Sequence, residues 1–375
     1  MEKTTVSGND APKSLPDAIQ SNAGMQEWSN RANIYAFVER LATLTTGYAQ
    51  DNDGEQRETG YYNYSVLRAP LWRWEIIWYF FFGGLAAGSY TIATIASLFG
   101  SKEDRVVART GYYLSLLALL PCPPLLIKDL GRPEKFLNML RIFKVKSPMS
   151  MGVWGLMIFS LFSGLTAVIQ GARDGLLGRW WGANMLARLP QKLIALPGTA
   201  FGIFLGGYTG VLLAATSVPL WSRSKRLGAI FVTSALSTSV ALISCVLRIV
   251  GAPTKVLRKL ERLEWVSISI EIIGLLTFLR ESGRAARPLV GTAPTEHGMT
   301  FWRFMFGAGL VLPWLLQTFQ LVKKTPPSRK KERGGVGLLI SLLVLVGGYL
   351  LRRTIVEAGR TSSMDGHTTL WNARR

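Results

Sequence analysis

A chain of 375 residues that is 49% hydrophobic and only 18% charged, with 38 glycines and 12 tryptophans, carries too little charge to cover a soluble surface of its size. Its formal net charge is +20, yet the Lys and Arg fall between long apolar runs and no nucleic-acid-binding motif is present. That charge therefore faces lipid headgroups or an acidic partner, and both a soluble enzyme and a nucleic-acid-binding protein are excluded.

Residues 1–70 are polar and contain no signal-peptide core. Residues 1–30, rich in Ser, Asn, Asp and Gly, read as disordered. Ile34, Phe37, Val38, Leu41 and Leu44 then form a helical stripe that suits a membrane surface or a partner subunit. An acidic linker, Asp51 to Glu58, follows.

Apolar runs come next, most close to the roughly 20 residues needed to cross a hydrocarbon core of about 30 Å. They extend from Ile76 to Phe99, Gly111 to Ile127, Met151 to Gln170 and Leu193 to Trp221. Four further runs extend from Leu227 to Leu247, Trp265 to Leu279, Phe301 to Val322 and Val336 to Leu351. The Trp265 run is the weakest, being short and carrying Glu271. Backbone amides in lipid must bond within their own segment, so these runs predict helices, and no barrel-type alternation competes with that reading. The expected fold is all-α and polytopic, with about eight spanning helices. The expected organisation is an extension over 1–70, a membrane domain over 71–356 and a tail over 357–375.

Alternating helices place the N-terminus, the 128–150, 222–226 and 280–300 loops and the C-terminus on one side. The loops around 100–109, 171–192, 248–264 and 323–335 fall on the other. The second group holds fewer acids, and the positive-inside rule leans toward a cytoplasmic position for it.

Cys122 and Cys245 are the only cysteines, both inside predicted spans and in no CxxC pattern. The expectation is a protein with no iron–sulfur centre, disulfide or zinc site of its own. His297 in a loop and His367 in the tail leave no pair for a transmembrane haem.

Three places carry ionisable groups where lipid makes them costly. Asp129 ends the second run in Lys128-Asp129-Leu130-Gly131-Arg132-Pro133-Glu134-Lys135-Phe136, with Arg132 and Lys128 as candidate partners. Ser147-Pro148 closes that loop as a helix N-terminus. An interfacial turn that ends one helix and caps the next accounts for the same residues. Glu75 sits among Tyr61, Tyr62, Trp72, Arg73, Trp74, Trp78 and Tyr79; the aromatics read as an interfacial belt, and Glu75 falls on the same side as Asp129. Glu271 is the third, with Arg248 or Arg280 as partners, and its alternative is a helix-end residue snorkelling to water. The glycine runs Gly83-Gly84 to Gly88 and Gly206-Gly207 to Gly210 read as close helix packing.

These residues bear a resemblance to a known family. Gly60-Tyr61-Tyr62, Trp72-Arg73-Trp74-Glu75 and Tyr79 through Ser89 resemble the NrfD-like family of polysulfide reductase membrane subunits. So do Asp129-Leu130-Gly131-Arg132-Pro133, Ser147-Pro148-Met149-Ser150, Tyr208-Thr209-Gly210, Val218-Pro219 and Ile355 through Arg360. The resemblance implies a membrane anchor of two four-helix bundles that exchanges electrons with menaquinone or ubiquinone. It implies a ferredoxin-like iron–sulfur partner subunit serving a molybdopterin-type or other catalytic subunit. It places the N-terminus and the quinone-side loops outside the cytoplasm. Carried onto this sequence, Asp129, Glu75 and Arg132 do the proton chemistry; Trp74, Tyr79, Ser147, Met149 and Tyr208 hold the quinone. Glu271 and Arg248 are expected on a proton pathway. The sequence departs from the pattern at Ile76 and Tyr79, where some members carry Asn and His, and at Ala215 and Ser222-Arg223. Two other classes compete: an anchor that conducts protons without quinone, and a secondary transporter. The latter predicts inverted repeats, and no internal repeat is found.

Overall fold

A computed structural model describes residues 40–41, 44–45, 66–178, 180–291, 297–322, 330–366 and 369–370. Most of the amphipathic stripe from Ile34, the acidic linker, Tyr61, Tyr62 and His367 lie outside the described residues.

The described part of the protein is built from helices: α1 Trp74–Phe99, α2 Arg105–Leu119, α3 Cys122–Asp129, α4 Phe136–Arg141, α5 Pro148–Arg173, α6 Trp181–Arg188 and α7 Gln191–Ala214. Then come α8 Pro219–Ser222, α9 Leu227–Val250, α10 Thr254–Ser282, α11 Arg287–Val290, α12 Leu312–Val322 and α13 Lys330–Met364. A π-helical segment, Thr300–Val311, leads straight into α12.

Seven helical stretches among the described residues are long and apolar enough to cross a bilayer. The predicted Trp265–Leu279 run is the middle of α10, a helix of 29 residues. Its length suffices, but Lys255, Glu261, Glu264 and Glu271 within it keep it out of that apolar set. Sequence boundaries shift for local reasons. The Gly111–Ile127 run is two helices, because Pro121, Pro123 and Pro124 remove donors where α2 would continue. The Leu193–Trp221 run ends at Ala214, and Pro219 starts the separate turn α8. The last helix runs to Met364 rather than Leu351, so the first residues of the expected tail are helical, with Ala358 fully buried. As expected, Ser147 caps α5: its hydroxyl accepts from the Ser150 amide at 3.4 Å, and Pro148 occupies the first turn. Gly251, at φ +80°, closes α9 and turns the backbone into α10.

Helices α1, α2, α5 and α7 pack around one another. Helices α9, α10 and α13 and the π-helical segment with α12 form a second group. The groups meet where α1 and α7 lie on α9 and α1 on α13. Small residues allow this approach: Ser239 donates to the Leu85 carbonyl at 3.1 Å, and a Cβ on Gly88 would stand 2.4 Å from the Ala235 carbonyl oxygen. Gly210 meets the Leu227 backbone in the same way, whereas Gly83 has open space beside it. Gly88→Val therefore forces α1 off α9. A lower melting temperature and reduced monodisperse yield in mild detergent are expected, with Gly83→Ala unaffected in the same assay.

A carboxylate cluster at one end and a buried arginine at the join

The first residues of α1, the last of α3, the first of α5 and the final turns of α7 lie at the same end of the first group. Lys128 stands over the Trp74 ring, its Nζ 4.3 Å from the centroid. The same amine lies 3.6 Å from Glu75 Oε1. Glu75 is buried, and its Oε2 has no hydrogen-bond partner among the described residues. Asp129, half-buried, is in electrostatic range of Glu75 and of Arg73. Lys128 thus pairs with Glu75, not with Asp129 as expected. Adjacent residues on a helix point about 100° apart and do not face each other. Arg132 is exposed and forms no ion pair among the described residues, so it does not partner Asp129 either.

Beneath this cluster Tyr79 is buried, within electrostatic range of Cys122 and Tyr208. The Tyr208 ring packs on Gly152, where a Cβ would come within 2.2 Å of the phenol oxygen. Only a glycine one turn into α5 admits the ring. That contact ties Tyr208 to the α5 start, which also carries the capping Ser147 and the exposed Met149. Trp74, Glu75, Lys128 and Asp129 form the outer layer and Tyr79, Cys122 and Tyr208 the inner one. Ser147 and Met149 flank it. Among the described residues no three His, Cys, Asp or Glu side chains converge as metal ligands.

A second polar cluster lies where the two groups join. Glu271 is 1% exposed, which rules out snorkelling to water, and accepts from the Ser237 hydroxyl at 2.6 Å. The cation near it is Arg352, itself 1% exposed. Arg352 donates through Nε to the Phe80 carbonyl at 3.1 Å, and through Nη1 to Gly348 O at 2.7 Å and Ser234 Oγ at 3.1 Å. Its guanidinium carbon lies 5.8 and 5.6 Å from the Phe81 and Phe231 ring centroids. Gly84 makes the room, since a Cβ there would lie 2.7 Å from Nη2.

Neither expected partner of Glu271 is the one found. Arg248 lies eleven residues beyond Ser237 on α9, roughly 16 Å along the helix, and pairs with Glu261 at 2.7 Å. Arg280 is exposed at the far end of α10. Arg352 itself escaped sequence reading because a charge after an apolar run looks like the end of a span. Its neighbour Arg353 behaves that way, pairing with Glu357 at 2.9 Å on the exposed side. The available signal was Gly347-Gly348 one turn earlier, small residues that let a large side chain lie flat against the helix.

The matching family model is that of polysulphide reductase, NrfD, over residues 64–362. This chain belongs to the NrfD family. It is 28% identical to the C chain of polysulfide reductase from Wolinella succinogenes, over 78% of its own length and 95% of that protein. It is 26% identical to protein NrfD of Escherichia coli, over 77% and 95%. The C subunit of selenate reductase from Mesobacillus selenatarsenatis is 23% identical over 81% and 78%. The NrfD match spans both clusters, and the spanning helices mark a multi-pass membrane protein.

Arg352→Met leaves the Phe80 carbonyl and Glu271 without their cation, a loss of about 3 kcal/mol for a broken buried pair. The melting temperature in detergent should fall clearly, and Arg352→Met with Glu271→Gln should recover part of the loss. Strict additivity in that cycle would show the two residues to be uncoupled.

Proposed function

We propose that this protein is the membrane subunit of a respiratory oxidoreductase, exchanging electrons and protons between the quinone pool and an iron–sulfur partner subunit. The observation that carries this reading is the layered cluster: ionisable Glu75, Lys128 and Asp129 under an exposed Trp74, above buried Tyr79 and Tyr208. The fit is chemical. A flat ring with two carbonyl oxygens needs aromatic walls, hydroxyl donors and a group that trades protons, and Glu75 Oε2 is a buried acceptor with no partner of its own among the described residues.

Quinone bound there would supply two-electron, two-proton chemistry. Trp74 and Tyr208 wall the ring, and the Tyr79 or Tyr208 hydroxyl donates to a carbonyl. Asp129 and Glu75 hold and pass the proton, with Lys128 offsetting the second carboxylate so that both can be ionised together. Ser147 fixes the start of α5, and Met149 offers an apolar contact at the mouth. Arg132, exposed on the same loop, is placed to meet the partner rather than the ring. Electrons arrive from that ferredoxin-like partner, which serves a molybdopterin-type or other catalytic subunit. The names of the polysulfide and selenate reductase relatives support a complex of that kind. In this reading the protein sits in the cell membrane, with residues 1–70 and the quinone-side loops outside the cytoplasm, and α10 counts as the eighth spanning helix.

A second reading, an anchor that conducts protons without quinone, draws on Glu271, Arg248 and their buried surroundings. Quinone extracted from the complex in mild detergent separates the two. The expected result is near-stoichiometric quinone in the wild type. Asp129→Asn and Glu75→Gln should each lower quinone-linked turnover by roughly 100-fold, the scale of a lost acid–base group, with assembly intact. Quinone-free complex and turnover indifferent to both substitutions would leave the anchor reading standing.

A further inference from the structure

Glu261, Glu264 and Glu271 lie on one face of α10 and are 5%, 1% and 1% exposed. Each holds one carboxyl oxygen in a contact and leaves the other bare. Glu261 Oε1 meets Arg248 at 2.7 Å, Glu264 Oε2 accepts from Gln317 at 2.8 Å and Glu271 Oε2 from Ser237 at 2.6 Å. Glu261 Oε2, Glu264 Oε1 and Glu271 Oε1 have no partner among the described residues.

Buried acids alone have several explanations, and Gln317 narrows them. It is 1% exposed, and while its amide nitrogen donates to Glu264, its carbonyl oxygen is also unpartnered among the described residues. A buried amide oxygen beside a carboxyl with a free oxygen asks for a donor. A proton on Glu264, or a water carrying one, meets that need without breaking any bond present.

The three acids fall into two stations. Arg248, Glu261, Glu264 and Gln317 make the outer one, Glu264 being within electrostatic range of both Arg248 and Glu261. Glu271, Ser237, Ser234 and Arg352 make the inner one. Glu264 and Glu271 are two turns apart, about 10 Å, and the fully buried Ile268 sits between them on the same face. The outer station lies at the membrane end opposite Glu75 and Asp129, because Lys259 near the start of α10 pairs at 2.7 Å with Asp104, just beyond the end of α1.

We infer that this face of α10 is a proton inlet from the side opposite the carboxylate cluster, ending at Glu271 beside Arg352. Resting on the quinone reading above, it supplies that chemistry with protons from the far side. The proton enters at Glu261, occupies Glu264 Oε1, crosses the Ile268 layer on transient water and binds Glu271 Oε1. Glu264 loses what Glu271 gains, and no other bond changes. The Arg352 cation repels a free hydronium and stops the proton at Glu271.

The test uses the complete complex in proteoliposomes, with a pH-sensitive dye on the Arg248 side and a water-soluble quinone analogue as the redox probe. In Glu264→Gln and Glu271→Gln, quinone turnover in detergent should persist while proton uptake from that side is lost. Uptake per electron equal to wild type in both variants would overturn the inlet. If the wild type turns over no quinone, the reading of the previous section fails, and the inlet is judged on the full-length protein in nanodiscs by infrared spectroscopy. There Glu264 and Glu271 should give carboxyl bands that titrate and exchange in deuterated water, with slower exchange in Glu261→Gln. Carboxyls that neither titrate nor exchange, or exchange unchanged by Glu261→Gln, would overturn the inlet independently.

Discussion

A guanidinium sealed among apolar helices must draw hydrogen-bond acceptors from whatever surrounds it, and the arrangement at the join of the two helix groups follows from that constraint. Arg352 takes a carbonyl from α1 and from its own helix, and a hydroxyl from α9. Gly84 leaves the space its Nη2 occupies, and the Phe81 and Phe231 rings close above and below. The nearby Glu271 offsets a charge that would otherwise be prohibitive in such a setting. Three helices that could slide past one another in lipid are thereby fixed in register, because hydrocarbon offers the arginine no substitute partner.

Much of the fold was legible because crossing lipid imposes a length, and length survives in sequence. The runs beginning near Ile76, Met151, Leu227 and Phe301 became helices close to where the apolar residues begin and end. Charge counting failed at α10, since Glu261, Glu264 and Glu271 face inward, and a residue's direction on a helix is invisible to a sum over a window. The same blindness ended the last span at Leu351, one residue before the arginine that holds the join. Prolines 121, 123 and 124 were plain in the sequence, yet an apolar run gives no sign of where its helix breaks.

The carboxylate cluster was half legible. Residue type picked out Glu75 and Asp129, because an ionisable group at a span boundary needs a reason to be there. Pairing was not legible. Lys128 neighbours Asp129 in sequence but reaches Glu75 in space, on a helix 53 positions away. Tyr208 was found through its motif, whereas its seat on Gly152 depends on α5 and α7 packing side by side. Ser147 was legible for the opposite reason, since a cap is a contact within a few residues of itself.

The two polar clusters share helix α1, and this bears on how they act together. Glu75 and the Phe80 carbonyl that Arg352 binds are five residues apart on α1, about 7.5 Å of rise. Charges on the order of 10 Å apart at an effective dielectric of about 20 interact by roughly 1.7 kcal/mol, somewhat more than a tenfold change in proton affinity. A change of protonation at the carboxylate end is therefore felt at the arginine with no moving part between them. The hydrogen bond from Arg352 to Phe80 O makes that coupling directional, because it holds the cation on the α1 side of the join while Ser237 holds Glu271 on the α9 side. Packing that looks purely structural from within either helix group is also what keeps the buried charges of one within electrostatic reach of the other.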